Sequence, residues 1–271
     1  MAHHRIKPNK DNFIQIWLKK QAPSSAYKAF QHLPLAEING ARDIVFRPLA
    51  ETVFLNHDDP EDFRKNVIAL GYPNLAEAAK EVDRRPKKPN IRKGNFGEIL
   101  ASEFLRQCEG YDIPVYRLRE SSDDSPAPGE DILAFKFGSA DGKGRELLIG
   151  ESKVRGQYAS TVVEEAYDQL CKSRHRSRPK SLMLIVRILR KQDQDEKANQ
   201  ILSFLHKLAP NQPTRRSLLF LITGNIPRDS FRHIQDQKEI IENLIAVNLQ
   251  LSNLDDFVNA LFSYEVKING A

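Results

Sequence analysis

The pattern of apolar and polar positions along the chain predicts alternating helices and strands. Over the first 83 residues it is mixed, and reads as short helices and turns. Asn12 to Lys20 has helical character, and Pro60-Glu61-Asp62 opens another helix with acids in its first turn. "PNLAEAAKEVDRR" (73–85) is a third helix. The stretch "RRPKKPNIRKG" (84–94) carries two prolines and six basic residues, so it cannot be helical throughout and is expected to be an exposed basic linker.

From Asn95 onward the apolar runs lengthen. "NFGEILASEFLRQC" predicts a helix with Asn95 as its N-cap. A short strand "IPVYRLR" and a polar loop "ESSDDSPAPGE" follow. Next come the strands "DILAFKF" (131–137) and "ELLIGESKV" (146–154), joined by the glycine-containing "GSADGKGR", which suits a hairpin. "STVVEEAYDQLCKSR" predicts a helix. Three more apolar strands are expected in "SLMLIVRIL" (181–189), "SLLFLIT" (217–223) and "ENLIAVNLQL" (242–251), with the helix "QDEKANQILSFLHKL" between the first two. A final helix, "SNLDDFVNALFSYEV", opens with a capping box, Ser252 to Asp255. Strands separated by helices indicate an α/β fold with a mixed central sheet flanked by helices. The division is into an N-terminal, mainly helical region (1–90), which suits a partner surface, and an α/β domain (91–271).

Composition narrows the function classes. With 40% hydrophobic and 28% charged residues the chain is expected to be globular. The apolar stretch Phe13–Leu18 is too short for a signal sequence or a membrane span, so the expectation is a cytoplasmic protein with no membrane association. Two cysteines, Cys108 and Cys171, have no metal-type spacing and are expected as buried free thiols. No Gly-rich phosphate loop is present, so no nucleotide cofactor is expected on this chain. A net charge of +5 favours a polyanionic partner.

The chemistry concentrates in "LLIGESKVR" (147–155). Glu151 and Lys153 are two apart on one strand and share a face, while Ser152 points away. Asp131 opens the preceding strand, so a hairpin brings it to the same sheet edge as Glu151. Two carboxylates and the Ser152 carbonyl can hold a hard divalent cation, and Lys153 can orient a water and offset developing negative charge. A glutamate on the leading helix completes such a set. Glu98 is the choice and Glu103 the competitor, and periodicity alone does not separate them. The basic run "CKSRHRSRPKS" (171–181) contributes Lys172, Arg174 and Arg176, which together with Arg155 are the candidate phosphate contacts.

At Asp131, Glu151 and Lys153 the sequence resembles the PD-(D/E)XK nuclease superfamily. That resemblance implies a restriction-endonuclease-like α-β-β-β-α-β core over roughly residues 94–190, with Glu98 on the leading helix, and a polar contribution from Gln169 on the helix after Lys153. Across "GEILASEFL", "PGEDILAF", "LLIGESKVR" and "LIAVNLQLSNLDDFVNALF" it resembles the HamA family, the nuclease subunits of Hachiman anti-phage defence systems. This implies a Mg²⁺-dependent DNA nuclease (Mn²⁺ as an alternative ion) restrained by a partner helicase, HamB. The rival expectation is a non-catalytic adaptor that keeps the nuclease fold to bind DNA or regulate a helicase.

Overall fold

The computed structural model describes residues 11–70, 83–113, 118, 131–139, 143–175, 179–204, 212–225 and 229–265. The strands are β1 (Leu18–Lys20), β2 (Gln31–Glu37), β3 (Ile132–Lys136), β4 (Glu146–Arg155), β5 (Thr214–Thr223) and β6 (Leu244–Gln250). The helices of the described residues are α1 (Phe13–Trp17), α2 (Ala41–His57), α3 (Pro60–Ala69), α4 (Pro89–Glu109), α5 (Ser160–His175), α6 (Pro179–Lys191), α7 (Asp195–Leu202), α8 (Arg232–Gln235) and α9 (Leu254–Phe262). Among them none is long and apolar enough to cross a membrane.

The strands form one mixed sheet in the order β1-β2-β6-β5-β4-β3. Pairings between β2, β6, β5 and β4 are parallel, and the two outer pairs, β1–β2 and β3–β4, are antiparallel. The expected α/β fold with a mixed central sheet and flanking helices is therefore the fold observed, and it is consistent with a restriction-endonuclease-like core. β5 shows why a continuous apolar run suits the centre: Ser217 to Thr223 is buried on both faces. Leu218, Phe220 and Ile222 join the cluster under α1, α2, α4 and α9. Leu219 and Leu221 join a second cluster beneath α5.

The segment 181–189, expected as a strand, lies inside helix α6. Leu182, Ile185, Val186 and Leu189 are buried, whereas Met183, Leu184 and Arg187 between them are exposed. Burial at i, i+3, i+4 and i+7 is one face of a helix. The nearly continuous apolar run suggested a strand, but that face packs with Phe135 of β3 and with α7 in a third core cluster. Residues 31–37, read as part of a helix-and-turn region, form β2, and Leu18–Lys20 form β1. β2 pairs in parallel with β6, so the sheet draws on residues on either side of position 90, as does the largest core cluster.

The basic stretch 84–94 is the expected exposed linker only in part: Arg84, Lys87 and Lys88 are exposed, while Arg85, Arg92 and Lys93 are folded against the body. α4 begins at Pro89, a residue favoured in the first helical turn. The Arg85 side chain, only 9% exposed, bonds Asp83 at 2.7 Å and donates to the Tyr264 carbonyl at 2.8 Å. Arg92 donates to the Pro86 carbonyl at 2.8 Å, and Lys93 pairs with Asp255 at 3.3 Å. Asn95 is consequently inside the helix instead of capping it, buried and donating to His57 Nε2 at 2.9 Å. The capping box at Ser252 does not form either. Asn253 precedes α9 in a left-handed conformation, and no side chain caps the helix. Both cysteines are free and half-buried, and burial pushes the Cys108 thiol up to about 11, which makes it inert. Most of "IPVYRLR", the loop 120–130 and most of 73–85 lie outside the described residues.

The hairpin of β3 and β4 is held at its turn. Gly138 has φ +72° and sits where a Cβ would run into the Lys143 carbonyl, so the tight turn requires glycine there. Directly after the turn and opposite Lys136, Glu146 accepts a hydrogen bond from Tyr111 and pairs with Arg216 at 3.0 Å. Burial opposes ionisation of Glu146, but the Tyr111 hydroxyl and the Arg216 and Lys136 charges outweigh it and hold the carboxyl below its usual range.

Candidate active site

Strand β4 divides its side chains between two environments. Leu148, Ser152 and Val154 face α4, where Gly97 lies so close that a Cβ would stand 2.6 Å from Val154 Cγ2. Leu147, Ile149, Glu151 and Lys153 alternate onto the opposite face, towards α5 and α6. The strand therefore presents two apolar side chains and then two charged ones on that face.

The antiparallel ladder between β3 and β4 ends with Ile132 opposite Gly150. One step further, Asp131 falls opposite Glu151. Its Oδ2 accepts a hydrogen bond from the Ser152 N–H at 3.1 Å. The carboxylate thus takes the place of a ladder partner just where the strand pair stops. The carbonyl of Ser152 points to the same side as its N–H, because both groups of a strand residue point the same way.

Lys153 Nζ donates to Glu151 Oε1 at 2.8 Å and to Gln169 Oε1 of α5 at 3.1 Å. The Lys153 and Glu151 side chains are 19% and 12% exposed, so this pair is far less screened than a surface ion pair. Asp131, Glu151, Lys153 and Gln169 therefore lie together at one end of the β3–β4 pair.

The leading-helix glutamates are placed differently. Glu103 is buried and committed to its own helix, bonded by Arg106 at 2.6 Å and by Gln107 at 2.8 Å. Glu98 is half-buried, adjacent to Gly97 on the helix that packs against the Ser152 face of β4. Among the described residues no three of His, Cys, Asp and Glu are grouped to hold a metal ion, so Glu98 is not drawn together with Asp131 and Glu151 into such a set. The pair of carboxylates with the Ser152 carbonyl is nonetheless a hard-oxygen donor set. Mg²⁺ commonly takes only one or two protein carboxylates, filling its octahedron with water and substrate phosphate.

Of the candidate phosphate contacts, Arg155 is exposed at the end of β4, where its guanidinium donates to the Val154 carbonyl at 3.0 Å. Lys172 is exposed on α5. Arg174 lies on the same helix with its side chain outside the described residues, and Arg176 is outside them altogether. Gly97 was not singled out from sequence as part of the site. Its signal is a glycine inside a helical pattern, which often marks a close backbone approach.

Fold and site together define a mixed α/β protein with a carboxylate–lysine site at the end of an antiparallel strand pair. More particularly, the chain belongs to the HamA family, whose model matches residues 29–264. It is 27% identical over 259 residues to the Hachiman protein HamA of Bacillus cereus, an alignment covering 94% of this chain and 91% of that protein. The matched span begins just before β2 and ends after α9, so it includes the N-terminal strand β2 and leaves out α1 and the edge strand β1.

Proposed function

We propose that the chain is a metal-dependent deoxyribonuclease of PD-(D/E)XK type, acting in the cytoplasm as the effector subunit of a Hachiman anti-phage defence complex and restrained by a partner helicase of the HamB kind. Family membership supports the defence role. The observation that carries the enzymatic reading is Asp131 set opposite Glu151 at the end of the β3–β4 ladder, with Lys153 on the same face. A binding module has no reason to crowd two carboxylates where phosphate must approach.

In this reading Asp131, Glu151 and the Ser152 carbonyl would hold Mg²⁺, with Glu98 the further carboxylate that the resemblance implies on the leading helix. A bound divalent ion supplies an acidified water and offsets charge on the phosphate. Lys153 does the remaining work at its ammonium. Glu151 and Gln169 occupy two of its three donors and fix its direction, and the third is left for the attacking water or a phosphate oxygen. Arg155 and Lys172 lie at the ends of β4 and α5 and contact the backbone of the DNA without reading bases.

The test is a plasmid incubated with the purified protein and Mg²⁺, comparing wild type with Lys153→Ala and with EDTA, and repeated with the co-encoded helicase and ATP. Nicking or degradation lost in both controls supports the reading, and its appearance only with the helicase supports restraint. Silence under all conditions favours the adaptor, as does cleavage that persists at wild-type rate in Lys153→Ala.

A further inference from the structure

On the face of the sheet that carries Glu151 and Lys153, β2, β6 and the segment 21–25 enclose a bay of about 720 Å³. Its volume is that of a small-ligand pocket. Pro34 and Ala36 of β2 form a small, flat floor, with Asn248 and Gln250 of β6 and Ser24 and Ser25 around it. No lysine or arginine lines it, and the one lining carboxylate, Glu37, is taken up by Arg42 and by Trp17 Nε1 at 2.7 Å. The bay therefore does not select a ligand by charge.

Its hydrogen-bonding pattern is set by the backbone. The Ser24 N–H donates to His32 Nδ1 at 3.1 Å, so that nitrogen carries a lone pair and the proton sits on Nε2. Nε2–H then donates to Asn248 Oδ1 at 2.6 Å, which fixes the orientation of the amide. Burial pushes His32 below its ordinary value, against the opposing bond to Asn248, and keeps it in this neutral form. Asn248 is left with its NH₂ to offer, and among the described residues nothing accepts from it. Gln250, two residues on and on the same face, donates to the Gly224 carbonyl at 3.1 Å and keeps its Oε1 as an acceptor. A donor and an acceptor in fixed order stand beside a flat floor.

The position relative to the site is set by strand register. Lys153 pairs with Leu221, Leu221 with Asn248, and Asn248 with Pro34. All four share one face and one level across the sheet. Three inter-strand steps separate Lys153 from the bay floor, roughly 14 Å, and Leu221 between them is buried beneath α5 and α8, so the bay and the site open separately on this side of the sheet.

We propose that this bay receives an unpaired nucleobase of a single-stranded nucleic acid, reading its Watson–Crick edge through the Asn248 amide donor and the Gln250 amide acceptor. The inference rests on the nucleic-acid reading of the site, but it concerns binding and is tested without cleavage. A base already paired in a duplex has no free edge to offer, so the bay favours frayed or single-stranded DNA over intact duplex.

The experiment measures binding of three fluorescent ten-nucleotide probes to the full chain in EDTA: a single strand, the same strand in duplex, and an abasic strand of equal charge. The single strand is expected to bind at least about tenfold more tightly than the abasic strand, the scale of one good pair of base contacts. Gln250→Ala, at an exposed position that loses only the Gly224 bond, should reduce that ratio to within about twofold at unchanged melting temperature. Asn248→Ala should do the same, with its melting temperature recorded because His32 loses its partner. Equal affinity of wild type for the based and abasic strands overturns the proposal, as does a ratio that survives Gln250→Ala. Base-dependent binding in a chain that never cuts DNA would leave the bay assigned and remove the nuclease reading. Cleavage without base-dependent binding would do the reverse.

Discussion

Gly97 of α4 and Val154 of β4 are in such close contact that a Cβ on Gly97 would lie 2.6 Å from Val154 Cγ2 and 3.1 Å from Ser152 Oγ. Val154 is buried and β-branched, so it has little freedom to give way. The helix therefore rests directly on the back of the strand that carries Glu151 and Lys153. Alanine at position 97 gains about 1 kcal/mol of helix propensity and costs about 1–3 kcal/mol of overpacking. Overpacking is expected to win, lowering the melting temperature and reducing cleavage. Gly94 is the control: on the same helix nothing lies within 4 Å of its Cβ position, so Gly94→Ala should be neutral or stabilising. A stabilised Gly97→Ala with full activity would show that α4 does not set the position of β4.

Asp131 has both a structural and a chemical role. Its carboxylate accepts the Ser152 N–H, so Asp131→Ala leaves the donor of a buried residue unmatched and should cost about 1 kcal/mol. Asp131→Asn keeps an acceptor in place and relieves repulsion with Glu151, and its stability should lie within about 0.5 kcal/mol of wild type. Both should abolish cleavage. Denaturant unfolding beside the plasmid assay separates the effects, and an active Asp131→Asn would remove this residue from metal binding.

Mg²⁺ itself should stabilise the folded chain, because ligands that bind only the native state raise the melting temperature with their concentration. The rise is expected in wild type and in Lys153→Ala, and is expected to vanish in Glu151→Gln and Asp131→Asn. A shift that persists in both carboxylate variants would locate the ion elsewhere.

Gln169 holds Lys153 from α5 at 3.1 Å, and Gln169→Leu frees the ammonium to swing within the site. The fold loses little, while cleavage should fall roughly tenfold or more, since misplacement of a reacting group by about 1 Å is costly. Gln169→Glu keeps the acceptor and should recover part of the rate. Equal rates for wild type and Gln169→Leu would confine the bond to a packing role.

His57 links α2 to α4. Its Nδ1–H donates to the Val53 carbonyl at 2.8 Å, and its Nε2 accepts from Asn95 at 2.9 Å, leaving no position for a second proton. Burial pushes its pKa down to about 4 from 6.5, so the unfolded state binds the proton more readily. Stability should be fully present above pH 6.5 and should decline as pH falls from 6.5 towards 4, by up to ~3 kcal/mol. His57→Gln should flatten that part of the profile. An unaltered slope would assign acid sensitivity to other groups.

The carboxylate–lysine set was legible because it depends on rules that operate within a few residues. Alternation puts Glu151 and Lys153 on one face, and a hairpin between glycines carries Asp131 to their level. Asn95 and Arg85 show where such rules stop. Asn95 has the chemistry of a cap, yet α4 starts six residues earlier at Pro89 and turns it inward to His57. Arg85, in a run that reads as solvated linker, is anchored by the Tyr264 carbonyl, 179 residues away. Helix α6 had its i, i+3, i+4, i+7 burial written in Leu182, Ile185, Val186 and Leu189, but the exposed Met183 and Leu184 and the partly buried Ile188 between them made the run look continuous.

What the sequence by itself determined is the class of fold, the β3–β4 hairpin and the residues at its end, since each follows from side-chain alternation and turn chemistry between neighbours in the chain. Only the tertiary structure decided that β1 and β2 extend the sheet across position 90, that Glu103 is spent on Arg106 and Gln107, and that a bay stands level with Lys153 three strands away. The physical reason is the range of the interactions. Parallel pairing such as β2 with β6 joins segments more than 200 residues apart through backbone hydrogen bonds, which carry no signature in the side chains that make them.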